Sequence, residues 1–345
     1  MSLSPTHFDG ESLITPELLA QHGPLAIEMG RTSDDPVTDI LATLSIFEVL
    51  FQNRSDTAHV LTEMVVYINR ERKRLGHGTW KAISPILRQH SICAILHQDP
   101  FTDWSFRKPR GYSGDAHLLD YIYLHPNVEK SVSGASALGQ RLYAYSKDVS
   151  SSVAVRERRD LLAKLVDETA AQVGPETEIL TLAAGHLREA EKSEAFRDGG
   201  IKRWVALDQD PFSVAVINQQ FGGTAVEPLD GSVKGYLADA YELGQFDLVY
   251  AAGLYDYLPR AVAIKLTRKC LQSLKPGGTF LFANFAEDMI DDAFRETFMN
   301  WELLLRSEAD MWDIINMSVD RNKVQADVYT GENGVVIYGK IQLRV

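Results

Sequence analysis

The chain has only two cysteines, Cys93 and Cys270, and no CxxC pair or Cys/His cluster. A disulfide framework or a structural zinc site would have no ligands to build on. Both cysteines stand in apolar helical contexts and read as small core residues; no metal is expected. No run of about 18 apolar residues occurs, so a membrane-spanning helix is not expected. The first ten residues are polar and lack the apolar core of a secretory signal, which leaves a cytoplasmic protein as the expectation. Positive charge is also short, with 35 Lys and Arg against 47 Asp and Glu, a net charge of −12. Such a surface repels phosphate backbones. The one basic run, Arg70, Arg72, Lys73 and Arg74, contains Glu71 and reads as a solvated helix face. No nucleic-acid partner is expected, and no basic amphipathic stretch points to a membrane surface. The Gly-x-Gly-x-x-Gly fingerprint is missing as well, which argues against NAD-dependent oxidoreduction.

What is present is an ordinary globular composition, 45% hydrophobic and 24% charged. At roughly 100–200 residues per domain, 345 residues suggest two domains. The halves differ. From Thr15 to about Ala144 the apolar spacing is helical, and it predicts helices over Pro36–Phe51, Asp56–Leu75 and Ser84–His97. A loop rich in Gly, Pro, aromatics and cations runs from Trp104 to Asp115, and Asp115 is placed to cap a helix beginning at Ala116.

From Ser150 the pattern alternates. A helix is predicted over Val153–Val173, ended by Gly174 and Pro175. Predicted strands follow at Glu178–Ala183, Arg203–Leu207, Val233–Ala238, Phe246–Ala252 and Thr279–Phe285. Predicted helices lie between and after them, near Leu187–Arg197, Pro211–Phe221, Pro259–Leu274 and Asp288–Asn300. Two final strands, Val324–Tyr329 and Val335–Leu343, flank Gly331-Glu-Asn-Gly334 as a hairpin. Short apolar strands alternating with helices predict an α/β fold with a mostly parallel, doubly wound sheet and an antiparallel terminal hairpin. The expected division is a helical domain over residues 1–148 and a Rossmann-like domain over 149–345.

In such a sheet, ligands bind at the carboxyl ends of the strands. Strand one ends in Ala183-Ala184-Gly185, where glycine lets a ligand approach the backbone. Asp208 closes strand two, 23 residues after Gly185, with Gln209 beside it. A carboxylate there can accept both hydroxyls of a ribose, while Asp210 is better placed to cap the helix at Pro211. Asp239 and Ala240 offer a carboxylate and an adjacent amide able to read an adenine edge. Ala252 lies in Phe246-Asp-Leu-Val-Tyr-Ala-Ala-Gly253, and Leu274-Lys-Pro-Gly-Gly278 leads into strand five.

In this order the motifs resemble the class I S-adenosylmethionine (SAM)-dependent methyltransferases over about residues 150–345. The chain departs at strand one, where Ala183 or Ala184 stands at the family's usual second glycine-rich position. A narrower resemblance spans both halves. It is carried by Lys108-Pro-Arg-Gly-Tyr-Ser-Gly-Asp115, Ala154-Val-Arg-Glu-Arg-Arg159 and Ala252-Gly-Leu-Tyr-Asp-Tyr-Leu258. These look like the bacterial 3-hydroxypalmitic acid methyl ester biosynthesis proteins, and similarly the azetidine-2-carboxylate synthases.

The resemblance implies SAM as cosubstrate, a helical cap over its site and a small-molecule carboxylate acceptor in secondary metabolism. It implies that Tyr112 and Asp115 reach the cleft, with Tyr255 and Asp256 as further candidates to line the reacting space. Aromatic faces there could hold a sulfonium by cation–π attraction, on the order of 0.5–2 kcal/mol. Tyr255 also counts as a cofactor contact, and Arg156 as a partner for the SAM carboxylate. The plainer alternatives stay open: Tyr255 and Tyr257 as core aromatics, Arg156 and Arg159 as solvent pairs, His186 as a first-turn helix residue. Three activities remain in play. They are methyl transfer to a carboxylate, cyclisation of SAM to azetidine-2-carboxylate, and SAM binding without catalysis in a regulatory protein.

Overall fold

The structure, a computed structural model, describes residues 35–344 except 54 and 55. The polar N-terminus and the helical reading of residues 15–34 lie outside the described residues. The chain divides into two compact units. The first is Met1–Val153 with Met289–Glu302, and the second is Ala154–Asp288 with Leu303–Val345.

The second unit is built on a seven-stranded sheet: β1 (Glu178–Leu182), β2 (Arg203–Asp208), β3 (Val226–Asp230), β4 (Phe246–Ala251), β5 (Leu274–Phe285), β6 (Val324–Thr330) and β7 (Val336–Leu343). The strand order is β3-β2-β1-β4-β5-β7-β6. β1 to β5 pair in parallel, and β7 runs antiparallel to both β5 and β6. The inner strands β1, β2 and β4 are buried along nearly their whole length. Their sequences are continuous apolar runs rather than alternating ones, as a strand covered on both faces requires.

Strand three departs from expectation. Val233–Leu237 is a short helix, and the strand is the preceding Val226-Glu-Pro-Leu-Asp230. It carries two acids and Pro228, which hid it. β3 lies at the sheet edge, where a missing ladder donor is tolerated.

The segment after β1 departs too. Only Glu194–Arg197 of the expected Leu187–Arg197 helix is helical. Ala183, Gly185 and Leu187 all take positive φ, at 55°, 58° and 53°. The chain therefore leaves β1 through tight turns that bury His186, Arg188 and Glu189. The expected Ser84–His97 helix is two, His77–Leu87 and Ile92–Leu96, and Asp288–Asn300 narrows to Asp292–Phe298.

In the first unit, helix starts follow the aspartates. Asp35, Asp56, Asp99 and Asp115 each accept a backbone N–H at the start of Pro36–Gln52, Thr57–Leu75, Pro100–Arg107 and Ala116–Ile122. The late segment Met289–Glu302 is held in the same unit by polar contacts. Arg72 pairs with Asp292 at 2.7 Å and Glu296 at 3.0 Å. Trp80 Nε1 donates to Thr297 Oγ1 at 3.0 Å, and Arg88 donates to the Thr297 carbonyl at 2.9 Å. Burial pushes the Asp292 carboxyl up to about 6 even with Arg72 beside it.

The core of the second unit includes Tyr255, Phe280 and Phe282, with the Tyr255 and Phe282 rings 4.5 Å apart. Gly339 on β7 sits opposite Phe282, and a Cβ there would collide with that ring. Glycine at this position makes room for the aromatic stack. Gly339→Ala should therefore cost about 1–3 kcal/mol, the usual range for overpacking. The measurement is the midpoint of thermal or urea unfolding; an unchanged midpoint would mean that Phe282 is not confined.

Candidate functional site

The strand order reverses between β1 and β4: β2 and β3 extend to one side, β5 and β7 to the other. Ligands of doubly wound sheets gather at such a point, outside the carboxyl ends of the strands.

Three of the expected residues meet there through the backbone. The Ala184 amide donates to the Leu207 carbonyl at 3.1 Å. The Gly185 amide donates to Asp208 Oδ2 at 2.7 Å, and the Asp210 amide to Oδ1 at 2.8 Å. Asp210 caps the helix Pro211–Phe221 with its own carboxylate. Asp208 is thus spared the helix, though it is already the acceptor for two amides. A carboxylate has about four acceptor sites, so both oxygens keep capacity for a ligand. Burial raises the Asp208 carboxyl above its ordinary range, opposed by these amide bonds. Gln209 beside it is exposed.

Asp239 and Ala240 follow the helix Val233–Leu237 rather than a strand. Asp239 is exposed, at φ 55°, and pairs with Lys269. The Ala240 amide donates to the Gly235 carbonyl at 3.0 Å, so it already has an acceptor within the chain.

Beyond β4 the chain passes half-buried Ala252 and enters a short 3-10 turn, Tyr255–Tyr257. Tyr255 is fully buried, with its hydroxyl 2.7 Å from Thr267 Oγ1. Asp256 is buried and accepts the Phe285 amide at 2.7 Å. Arg306 holds the same loop: Nη1 donates to the Tyr255 carbonyl at 2.6 Å and to Asn284 Oδ1, and Nη2 donates to the Leu258 carbonyl. Tyr255 and Asp256, expected as catalytic groups, are therefore built into the core and the loop. Tyr257 is exposed.

In the first unit, Asp115 is likewise committed. It caps Ala116–Ile122 through the His117 and Leu118 amides and accepts Trp104 Nε1 at 3.0 Å. Tyr112 is half-buried in the preceding loop. The interior of this unit has a cavity of about 30 Å³ lined by Asp99, Tyr145 and Asp291 among apolar side chains. That is room for about two waters, too little for an acceptor molecule.

Two residues that sequence reasoning passed over complete the picture of the second unit. Arg158, on the helix Ser150–Val173, is 4% exposed. Arg156, expected to matter, is half-buried. Positions two apart on a helix point to nearly opposite sides, so the run Arg156-Glu-Arg-Arg159 could not say which arginine turns inward. Glu189 is buried after β1, accepts the Tyr250 hydroxyl at 2.5 Å, and has its carboxyl raised by burial. Its only signal was an expected helix that did not form.

No protein-family model matches the chain, and no curated protein matches its sequence. Solved structures do. A possible exported protein from Bordetella parapertussis is 14% identical, covers 67% of this chain and 80% of its own, and superposes with a TM-score of 0.52. The fold is Rossmann-like, a mostly parallel sheet with an antiparallel terminal pair. More distant likenesses are the N-methyltransferase NodS from Bradyrhizobium japonicum in complex with S-adenosyl-L-homocysteine and human N-acetylserotonin methyltransferase in complex with SAM. NodS is 14% identical with a TM-score of 0.39, over 55% of this chain and 87% of that one. The human enzyme is 14% identical with a TM-score of 0.41, over 66% and 62%.

Arg306→Ala would strip the β4 exit loop of its buried donor and leave the Tyr255 and Leu258 carbonyls and Asn284 without it. Leaving a buried acceptor unsatisfied costs about 1–3 kcal/mol. Hydrogen exchange should accelerate over residues 252–258 more than in β1 or β2. Uniform acceleration across the sheet would contradict a local role.

Proposed function

We propose that the chain is a SAM-dependent methyltransferase acting on a small-molecule acceptor, with a carboxylate as the leading class. The observation that carries this reading is the Asp208 carboxylate at the end of β2, bonded to the Gly185 amide across the turn after β1. A carboxylate so placed suits the two hydroxyls of a ribose. Gly185, without a side chain, brings its backbone amide beside it. A buried donor without a partner, Arg158 Nη1, is the kind of atom that a ligand completes.

SAM when bound supplies a sulfonium whose three neighbouring carbons are open to displacement. The protein's part is to decide which nucleophile is held in line with which carbon. A carboxylate acceptor is already ionised near neutral pH and needs no strong base. That suits a chain in which Asp115, Tyr255 and Asp256 are committed to caps and core. In this reading residues 149–345 hold SAM. A place in secondary metabolism rests on the resemblance alone.

One observation favours a second reading, cyclisation of SAM to azetidine-2-carboxylate with release of methylthioadenosine. That reaction must first take a proton from the SAM amine. Glu189 is a buried carboxyl raised above its usual range, a better proton acceptor than an exposed acid.

The experiment is incubation with SAM alone and with added carboxylic acids, followed by mass spectrometry. S-adenosylhomocysteine formed only with an acid supports methyl transfer. Methylthioadenosine and azetidine-2-carboxylate from SAM alone would establish cyclisation in its place, and SAM binding with no product under either condition would leave a binding protein. Asp208→Ala should weaken SAM by roughly 30- to 150-fold in calorimetry, because hydrogen bonds to a charged group are worth about 1.5–3 kcal/mol each. An unchanged dissociation constant would remove Asp208 from the site.

A further inference from the structure

The cavity of about 30 Å³ inside the first unit has no part in the chemistry proposed above. Apolar side chains such as Leu61 and Phe294 form part of its wall, but two buried polar side chains also face it, each with an atom unspent. Tyr145 is 3% exposed, and its hydroxyl has no hydrogen-bond partner among the described residues. Thr62 stands beside it without reaching hydrogen-bond distance, its own hydroxyl given to the Ala58 carbonyl. Asp291 is equally buried. Its Oδ2 accepts the Ser151 hydroxyl at 2.5 Å, while Oδ1 meets no donor among the described residues. Asp35, Asp56, Asp99 and Asp115 each cap the helix that follows them. Asp291 precedes Asp292–Phe298, yet its side chain makes no cap bond.

The two atoms complement one another. Burial pushes the Tyr145 hydroxyl far above its ordinary range, so it keeps its proton and has a hydrogen bond to give. The Asp291 oxygen is an acceptor. Neither bonds the other, so an occupant that meets both must accept on one side and donate on the other. Leaving either group buried and unmet is costly to the fold. The space excludes anything large, since a water needs roughly 10–15 Å³ of such volume. The buried Arg295 guanidinium lines the same cavity, which disfavours a cation there. Three serine hydroxyls complete the polar wall. Ser151 donates to Asp291, Ser146 to Asp99 and Ser152 to the Ser146 carbonyl. Each keeps capacity to accept, so a water here can find the two to four partners it requires.

We propose that this cavity is an internal hydration site, holding two water molecules that join the Tyr145 hydroxyl to Asp291 Oδ1. The bridge ties the late segment Met289–Glu302 to the helix Ala137–Ser146. The other side-chain ties of that segment to Arg72, Trp80 and Arg88 are made from Asp292, Glu296 and Thr297. None of those reaches Ala137–Ser146, so the waters supply an attachment of their own near the start of the segment. The site stands independently of the SAM reading.

The test is a high-resolution crystal structure of the wild-type chain, in air and under xenon pressure. Two ordered waters are expected in the cavity, one about 2.5–3.0 Å from Tyr145 Oη and one at a like distance from Asp291 Oδ1, with no xenon. An empty cavity, or one that takes up xenon as dry apolar cavities do, would overturn the site. So would an ion or an organic molecule in place of the waters. The wild-type structure decides this even if a variant fails to fold. The tie is read by hydrogen exchange on Tyr145→Phe, which removes the hydroxyl and keeps the ring. Exchange should quicken about 5- to 30-fold over residues 289–302. It should stay within about twofold over Pro36–Gln52, a helix of the same unit that does not line the cavity. Unchanged exchange, or equal quickening in both places, would overturn the tie.

Discussion

The second unit turns on one carboxylate. Asp208 accepts the amide of Gly185 from the turn after β1 and the amide of Asp210 from the start of the next helix. The turn it stabilises is unfavourable by itself, because Ala183 and Leu187 take a left-handed conformation that non-glycine residues avoid. A charge-assisted bond of 2.7 Å offsets part of that cost. It also sets the ends of β1 and β2 at a common level, leaving backbone and a half-engaged carboxylate where a ligand would lie. Each amide donates to one of the carboxylate's two oxygens, so the same bonds that shape the turn oppose the upward push of burial on the Asp208 carboxyl.

On the other side of β1 the loop after β4 is held by a different device. Arg306 satisfies the Tyr255 and Leu258 carbonyls, while Asp256 takes the Phe285 amide. An aromatic and an acid that look like chemistry are spent on rigidity. This rigid loop carries Gly253 to within reach of Arg158. One arginine finds all its acceptors inside the chain and the other does not, and that contrast separates scaffold from binding surface more clearly than residue type does.

Much of the fold was legible because its signals are local. β1, β2 and β4 are short apolar runs bounded by turns, and burial on both faces is the state that suits them. Asp115 and Asp210 announced helix starts through the hydrogen bonds that an aspartate offers to the next turn. β3 was missed because Glu227, Pro228 and Asp230 contradict strand propensity, and only its place at the sheet edge makes them acceptable. The helix expected over Leu187–Arg197 forms only at Glu194–Arg197, because positive φ at Leu187 breaks its start.

For the site, the sequence by itself determined which residues stand at strand ends. Gly185, Asp208 and Ala252 follow from where the apolar runs stop, and position along a strand is a one-dimensional property. What each side chain touches is not. Whether Asp115 and Asp256 face a ligand or cap the chain's own amides depends on the segments that arrive beside them, Trp104 in one case and β5 in the other. Whether Arg156 or Arg158 turns inward depends on how the helix Ser150–Val173 is rotated against the sheet, a choice made by packing around its whole circumference. Burial and hydrogen-bond satisfaction are sums over neighbours distant in sequence. Only the tertiary structure could therefore decide that Tyr255 belongs to the core and that Arg158 is left with a donor to spare.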